Sequence, residues 1–274
     1  MKTNIVTGWV GFFDILGYKN LLIQNEPESI AEEVVPLLTG TKSEVVRDIK
    51  RLFELLSEKN KNIAEDFQSA TTNLDGLIEE LSLLLFSDTL LVTMPAGEEV
   101  DNDSAIRLAI FSMACKGLQY KLFRCGLPVR GAIDYGKFYV KDMCFAGRPF
   151  INAYELANRL ELAACVLSDI ASKQFRSISI NAPEIDTFVA KYLVPMKDGE
   201  HHFQVMKTSI SDIGIDIRQY VMKSFWSHRK DISVEVQTKV ANTEQWLRFL
   251  VQLNKTESIQ QGHAADVQQP AADG

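Results

Sequence analysis

Two apolar, strand-like runs in this chain each deliver a single aspartate. The first is Val10-Gly11-Phe12-Phe13-Asp14-Ile15-Leu16-Gly17-Tyr18, and the second is Leu83-Leu84-Leu85-Phe86-Ser87-Asp88-Thr89-Leu90-Leu91-Val92. A buried strand gains nothing from an unpaired carboxylate, because taking that charge out of water is costly. Two such aspartates on different strands predict a shared cation. Hard Mg²⁺ or Mn²⁺ prefers carboxylate and phosphate oxygens. The fold must therefore bring Asp14 and Asp88 together, and the chemistry expected there is metal-dependent work on a nucleoside triphosphate.

Hydrophobic spacing predicts the elements around these strands. Residues 4–16 read as a buried strand, and Gly17 separates it from a short helix over Tyr18–Gln24. Residues 28–38 and 43–66 read as helices, the second from Val45, Val46, Ile49, Leu52, Phe53, Leu55, Leu56 and Ile63 at helical spacing. Leu77–Phe86 and Thr89–Met94 predict a hairpin turning at Ser87-Asp88. Asp101–Phe123 reads as an amphipathic helix. Leu127–Asp134 and Lys137–Val140 read as strands broken at Tyr135-Gly136, followed by a helix over Asn152–Leu167 and a short strand over Ser177–Ile180. Leu193–Met196 and His202–Met206 predict a hairpin through Lys197-Asp198-Gly199, and Ser211–Trp226 and Ile232–Leu253 predict terminal helices. The order β-α-β-β-α-β is that of a ferredoxin-like, split βαβ sheet backed by helices, hence an α+β domain with extra helices. No GxGxxG follows a strand and no GxxxxGK[ST] occurs, which sets aside the dinucleotide-binding and P-loop readings.

A chain of 274 residues can bury a sizeable core without disulfides. One domain over 1–254 is expected, with the Gln- and Ala-rich segment 255–274 disordered. The net charge of -7 lacks the basic footprint of a general nucleic-acid binder. Cys115, Cys125, Cys144 and Cys165 form no CxxC pair, so neither a zinc site nor a disulfide framework is expected. Free thiols suit a reducing compartment, no apolar run reaches membrane-spanning length, and the first residues make a poor signal peptide; a cytoplasmic location is the expectation.

Four blocks, in order, resemble the class III nucleotidyl cyclases. Phe12-Phe13-Asp14-Ile15-Leu16-Gly17-Tyr18 is similar to their first metal motif, and Phe86-Ser87-Asp88 to their second, where a glycine usually precedes the aspartate. Val129-Arg130-Gly131-Ala132-Ile133-Asp134-Tyr135-Gly136 resembles their RxGxxxG strand. Gly147-Arg148-Pro149-Phe150-Ile151-Asn152-Ala153-Tyr154-Glu155-Leu156, running into Ala157-Asn158-Arg159-Leu160-Glu161, resembles the helix that bears their transition-state residues. The likeness is greatest to the bacterial pyrimidine cyclases of Pycsar anti-phage defence.

That resemblance implies a soluble homodimer with active sites shared between subunits. It implies conversion of UTP or CTP to the 3′,5′-cyclic nucleotide, which acts on a separate effector protein, with no nucleic acid or membrane partner. Two divalent ions, Mn²⁺ or Mg²⁺, would be held by Asp14, Asp88 and the Ile15 carbonyl. Arg130, Phe13 and Lys197 would contact substrate, and Arg159 and Asn152 would serve the transition state. Two registers stay open for the last pair. In one, Glu155-Leu156-Ala157-Asn158-Arg159 aligns with the family's N-x-A-x-R, so Glu155 replaces the asparagine; in the other, Asn152 takes that role and Arg159 does not align. Leu84 stands where adenylate cyclases carry a purine-reading lysine, which favours a pyrimidine. A purine cyclase, or an inactive module that senses nucleotides, are the competing expectations.

Overall fold

The structure, a computed structural model, describes residues 5–59, 74–96, 102–141, 144–209, 216–230 and 233–267. The ends of two expected helices (residues 60–66 and 211–215), Asp101 and the last part of the expected tail, 268–274, lie outside them.

Strand β1 (Val6–Ile15) leads through Gly17, in the left-handed region at φ 78, into α1 (Tyr18–Gln24). A short turn over Pro27–Ser29 and a π-helical turn over Ile30–Val34 feed one long helix, α2 (Val35–Lys59). The two helices expected over 28–38 and 43–66 are thus one helical stretch as far as Lys59. Helix α3 (Leu74–Glu80) precedes β2 (Ser82–Phe86) and β3 (Thr89–Pro95). Then follow α4 (Asn102–Arg124), β4 (Val129–Lys141), β5 (Cys144–Ala146), α5 (Arg148–Arg159), β6 (Cys165–Leu167) and α6 (Asp169–Ser179). A 3-10 turn at Pro183–Phe188 opens the hairpin β7 (Val189–Met196) and β8 (Gly199–Met206), and α7 (Ile217–Trp226) and α8 (Val234–Val267) complete the chain.

The sheet order is β2-β3-β1-β4-β6-β8-β7, with β5 paired to β4 off this path. β1 is antiparallel to both β3 and β4, and β3 is antiparallel to β2. So β1 and β2 run parallel with β3 between them, and β3 and β4 run parallel with β1 between them. These are two interleaved split βαβ units, the expected ferredoxin-like order, extended by β6, β8 and β7. Helices lie on both faces: α2, α4 and α6 bury Val45, Phe111 and Phe175 against Trp9, Phe13 and Ile15. On the other face α5, α7 and α8 bury Ala157, Phe225 and Trp246 with Val10 and Phe12. Alternation along β1 directs these two sets to opposite sides and puts Asp14 on the face of Val10 and Phe12. No described helix is long and apolar enough to cross a membrane.

Several elements differ from expectation, each for a local reason. Leu77–Phe86 is not one strand: Leu77 and Ile78 are buried on α3 at helical spacing, and the strand begins only at Ser82. β4 passes unbroken through Tyr135 and Gly136, where the missing side chain lets Pro149 of α5 approach: a Cβ on Gly136 would stand 3.1 Å from the Pro149 ring. The helix expected over Asn152–Leu167 starts at Arg148, beyond Gly147 at φ 142, and stops at Arg159. Cys165–Leu167 forms instead a fully buried strand parallel to β4. Ser177–Ile180 is not a strand. Ser177, Ile178 and Ser179 end α6, whose N-cap Ser168 accepts from the Ala171 N–H at 3.0 Å, with Ala171, Phe175 and Ile178 inward at helical spacing. The predicted final hairpin is present, with longer strands and its turn at Lys197-Asp198. The last helix runs to Val267, into the segment expected to be disordered.

Candidate active site

The ferredoxin-like order puts three chain segments at one end of the sheet. Asp14 is the penultimate residue of β1 and is register partner to Thr89 on one side and Arg130 on the other. Asp88 occupies the two-residue turn between Phe86 and Thr89, and its carbonyl accepts from the Ile15 N–H at 3.0 Å. The preceding residue, Ser87, has φ 56. A side chain in this left-handed region costs on the order of 1 kcal/mol, which the pairing of β2 with β3 must offset.

The charges interact as this placement requires. Arg130 Nε donates to Asp14 Oδ2 at 2.9 Å, and Nη2 lies 2.9 Å from the same oxygen. Burial pushes the Asp14 carboxyl above its ordinary range, the Arg130 charge and hydrogen bond oppose the rise, and the Asp88 charge adds to it. Burial and the Asp88 charge likewise push the Tyr18 phenol up. Arg130 is held from its other side by α5: Nη2 donates to Asn158 Oδ1 at 2.7 Å and Nη1 to the Asn158 carbonyl at 3.3 Å.

The proposed metal ligands meet one requirement of a hard cation. Asp14, Asp88 and nearby carbonyls offer only oxygen, the donor that Mg²⁺ and Mn²⁺ select. Arg130 engages Oδ2 of Asp14, while Oδ1 has no partner among the described residues. Two interacting carboxylates, of which Asp14 alone is paired with a guanidinium, leave negative charge for a cation to offset. No group of three or more His, Cys, Asp or Glu forms among the described residues, so the pair would depend on substrate or solvent oxygens for the rest of a coordination shell.

The remaining expected residues divide. Arg159, at the end of α5, donates from Nη2 to Asp198 at 2.6 Å, and its carbonyl accepts from the Lys197 N–H at 2.8 Å. Lys197 is exposed on that same turn. The charges of Lys197 and Arg130 both help hold the Glu235 carboxyl below its usual range, after the larger effect of its hydrogen bond to Lys239. Lys239 is buried and paired with Glu235 at 2.9 Å and Glu161 at 3.3 Å.

Asn152 does not join this group. Its Nδ2 donates to Asp134 Oδ2 at 2.8 Å, and Asp134, buried on β4, also accepts from the Ser168 hydroxyl. Asp134 lies four residues along β4 from Arg130, roughly 13 Å at strand rise. Within one chain, Asn152 ties α5 to the sheet, and it is the Asn158-Arg159 end of the helix that meets Arg130. Phe13, expected to contact substrate, has its side chain in the core. Its side chain is 0% exposed and fills the space over Gly131, where a Cβ would stand 2.4 Å from the ring. Alternation sends Phe13 into the interior because it sends Asp14 to the other face. Asn158, Glu235 and Lys239 were not expected at the site. Asn158 lay within the helix block that carried the resemblance, whereas nothing local marks Glu235 or Lys239.

No protein-family model matches the sequence, and no curated protein matches it. Solved structures do. The chain is similar to the catalytic core of a rhodopsin-guanylyl cyclase with converted specificity in complex with ATPαS, with a TM-score of 0.43 and 11% identity over 76% of this chain and 99% of that one. It is also similar to a class III adenylyl cyclase-like ATP-binding protein from Pseudomonas aeruginosa, with a TM-score of 0.42 and 12% identity over 92% of this chain. The match spans 44% of that second protein's length.

Proposed function

We propose that this chain is a metal-dependent nucleotidyl cyclase that converts a pyrimidine nucleoside triphosphate, UTP or CTP, to its 3′,5′-cyclic nucleotide and pyrophosphate. The observation that carries the reading is the meeting of Asp14, Asp88 and Arg130 at one strand end, from the three blocks whose order resembles the class III cyclases. In this reaction the ribose 3′-oxygen forms a bond to the α-phosphorus, the bond from that phosphorus to the bridging oxygen breaks so that pyrophosphate leaves, and the hydroxyl proton passes to solvent. The work of the protein is positioning and charge neutralisation. Divalent ions held by Asp14, Asp88 and the Ile15 carbonyl would supply Lewis-acid stabilisation to the attacking and leaving oxygens. Arg130, aimed by Asn158, contacts the polyphosphate. Lys197 and Arg159, on adjoining turns, meet its outer phosphates or the reacting phosphorus. Leu84, an apolar residue at the place of a purine-reading lysine, supports the pyrimidine choice.

The same resemblance supports a homodimer with shared sites, and a product that acts on a separate effector in anti-phage defence. A second reading, an inactive nucleotide-sensing module, is favoured by one observation: Arg130 occupies an oxygen of the would-be metal ligand Asp14. Incubation of the purified protein with Mn²⁺ and, separately, ATP, GTP, CTP and UTP, with products identified by mass spectrometry, separates these readings. Cyclic UMP or cyclic CMP supports the proposal, a cyclic purine nucleotide overturns the base assignment, and no product from any nucleotide favours the sensor. In the active case, activity per chain falls on dilution if two copies build each site; a rate linear in protein to nanomolar concentration overturns the shared site.

A further inference from the structure

A cavity lies on the sheet face opposite Asp14. It occupies about 470 Å³ between α6 and the β7–β8 hairpin, within the size range of small-molecule sites. Lys173 and Arg176 project into it from α6, and Lys191 and His202 from the two strands. On the helix these positions share a face with Asp169 and Ser172, spaced three, four and seven residues apart. On the strands, Lys191 and His202 lie on the side away from Tyr192 and Phe203, which pack with α8 in the other core layer.

Its chemistry is unusual for this protein. The chain carries a net charge of -7, yet the cavity gathers four basic side chains against the carboxylates of Asp169 and Asp186. Among the described residues, none of Lys173, Arg176, Lys191 and His202 has an ion pair or side-chain hydrogen bond. Elsewhere in the fold Arg107, Lys121, Arg130 and Lys239 each hold a carboxylate. Gln204, which also lines the cavity, has a buried side-chain oxygen with no hydrogen-bond partner. That oxygen is closed off from the cavity as the side chain stands, so a ligand donor meets it only when the amide turns outward, which relieves an otherwise costly unmet acceptor.

We propose that this cavity is a binding site for a small phosphate ester, separate from the strand-end site. The ester's phosphate lies among Lys173, Arg176, Lys191 and His202, and an N–H or O–H of its organic part donates to Gln204. The two carboxylates in the same lining disfavour polyanions and favour a compact ligand with one phosphate and donor groups, such as a nucleoside monophosphate. The proposal does not depend on the activity assigned to Asp14 and Asp88.

The test is calorimetric titration of the full chain with uridine 5′-monophosphate and with inorganic phosphate, in EDTA so that metal-dependent binding at Asp14 is suppressed. Binding of the monophosphate is expected. It should weaken at least tenfold in Arg176→Ala/Lys191→Ala, two exposed positions whose loss leaves the core intact, and stay unchanged in Asp14→Ala. Equal affinity in the double variant and the wild type overturns the site, as does no heat of binding at millimolar ligand. Inorganic phosphate binding as tightly as the ester overturns the assignment of an ester and leaves a free-phosphate site. Loss of binding in Asp14→Ala would place the ligand at the other site and likewise overturn the proposal.

Discussion

Arg130 and Asp14 face each other as register partners across β1 and β4, and the guanidinium donates to one carboxylate oxygen at 2.9 Å while Asn158 holds it from behind at 2.7 Å. The pair sets both the charge and the geometry of the strand end. Burial disfavours the ionised form of this carboxylate, the guanidinium opposes that effect, and the second oxygen is left free.

Metal binding should therefore appear in stability. Burial raises the Asp14 carboxyl, and the Asp88 charge raises it further. A raised acid contributes stability that is fully present below the ordinary carboxylate range and is lost as pH rises through the folded value. The ionised form of Asp14 is thus the costly one, and a cation beside it relieves that cost. Mn²⁺ at a hundred times its dissociation constant should add about 2.7 kcal/mol to unfolding, read by urea denaturation at pH 7. Asp14→Asn should show no such gain, and an equal gain there would place the ion elsewhere.

Asn158→Ala should lower activity without unfolding the protein. The substitution frees Arg130 to swing from its place over Asp14, so KM for the triphosphate should rise about three- to thirty-fold with a smaller change in kcat, as expected for lost positioning of a charge-assisted contact. Asn158→Gln should not restore it, because the longer amide cannot occupy the same place. Unchanged kinetics in Asn158→Ala would remove the role given to this residue.

Gly131→Ala tests how the core sets the site. A Cβ at this position would stand 2.4 Å from the Phe13 ring and 2.8 Å from the Phe12 carbonyl, and Phe13 adjoins Asp14. Overpacking of this kind costs about 1–3 kcal/mol, and displacement of Phe13 should also reduce activity beyond the loss of folded protein. Thermal unfolding and specific activity, measured together, separate the two effects. Wild-type stability would show that β1 and β4 can part to admit a methyl group.

Lys230 makes stability depend on alkaline pH. Its ammonium is buried, donates to the Gly126 carbonyl at 2.6 Å, and burial lowers its pKa to about 8 from 10.5. Between those values the unfolded chain binds a proton that the folded chain does not, so stability rises with pH. The contribution is fully present above the unfolded value and is lost as pH falls through about 8. Its span is about 3 kcal/mol. The wild type should gain stability over Lys230→Met between pH 8 and 10 in urea titrations; a constant difference would mean that Lys230 is not desolvated.

What the sequence determined by itself was local. Apolar runs placed Asp14 on a strand and Asp88 in the turn of a hairpin, turn residues placed Lys197-Asp198 in a second hairpin, and the order of elements led to the ferredoxin-like arrangement that the first four strands adopt. What only the tertiary structure decided was which of several compatible local states each ambiguous run took, and which distant groups met. Cys165–Leu167 is too short and too uniformly apolar for its period to separate helix from strand, and pairing with β4 settled it. The Arg130–Asp14 contact joins residues 116 positions apart, Asn152 was drawn to the buried Asp134 rather than to Asp14, and alternation that exposed Asp14 buried Phe13. Spacing along a chain encodes the face of an element, but the partner on that face is chosen by packing and by the cost of leaving a buried charge unmet.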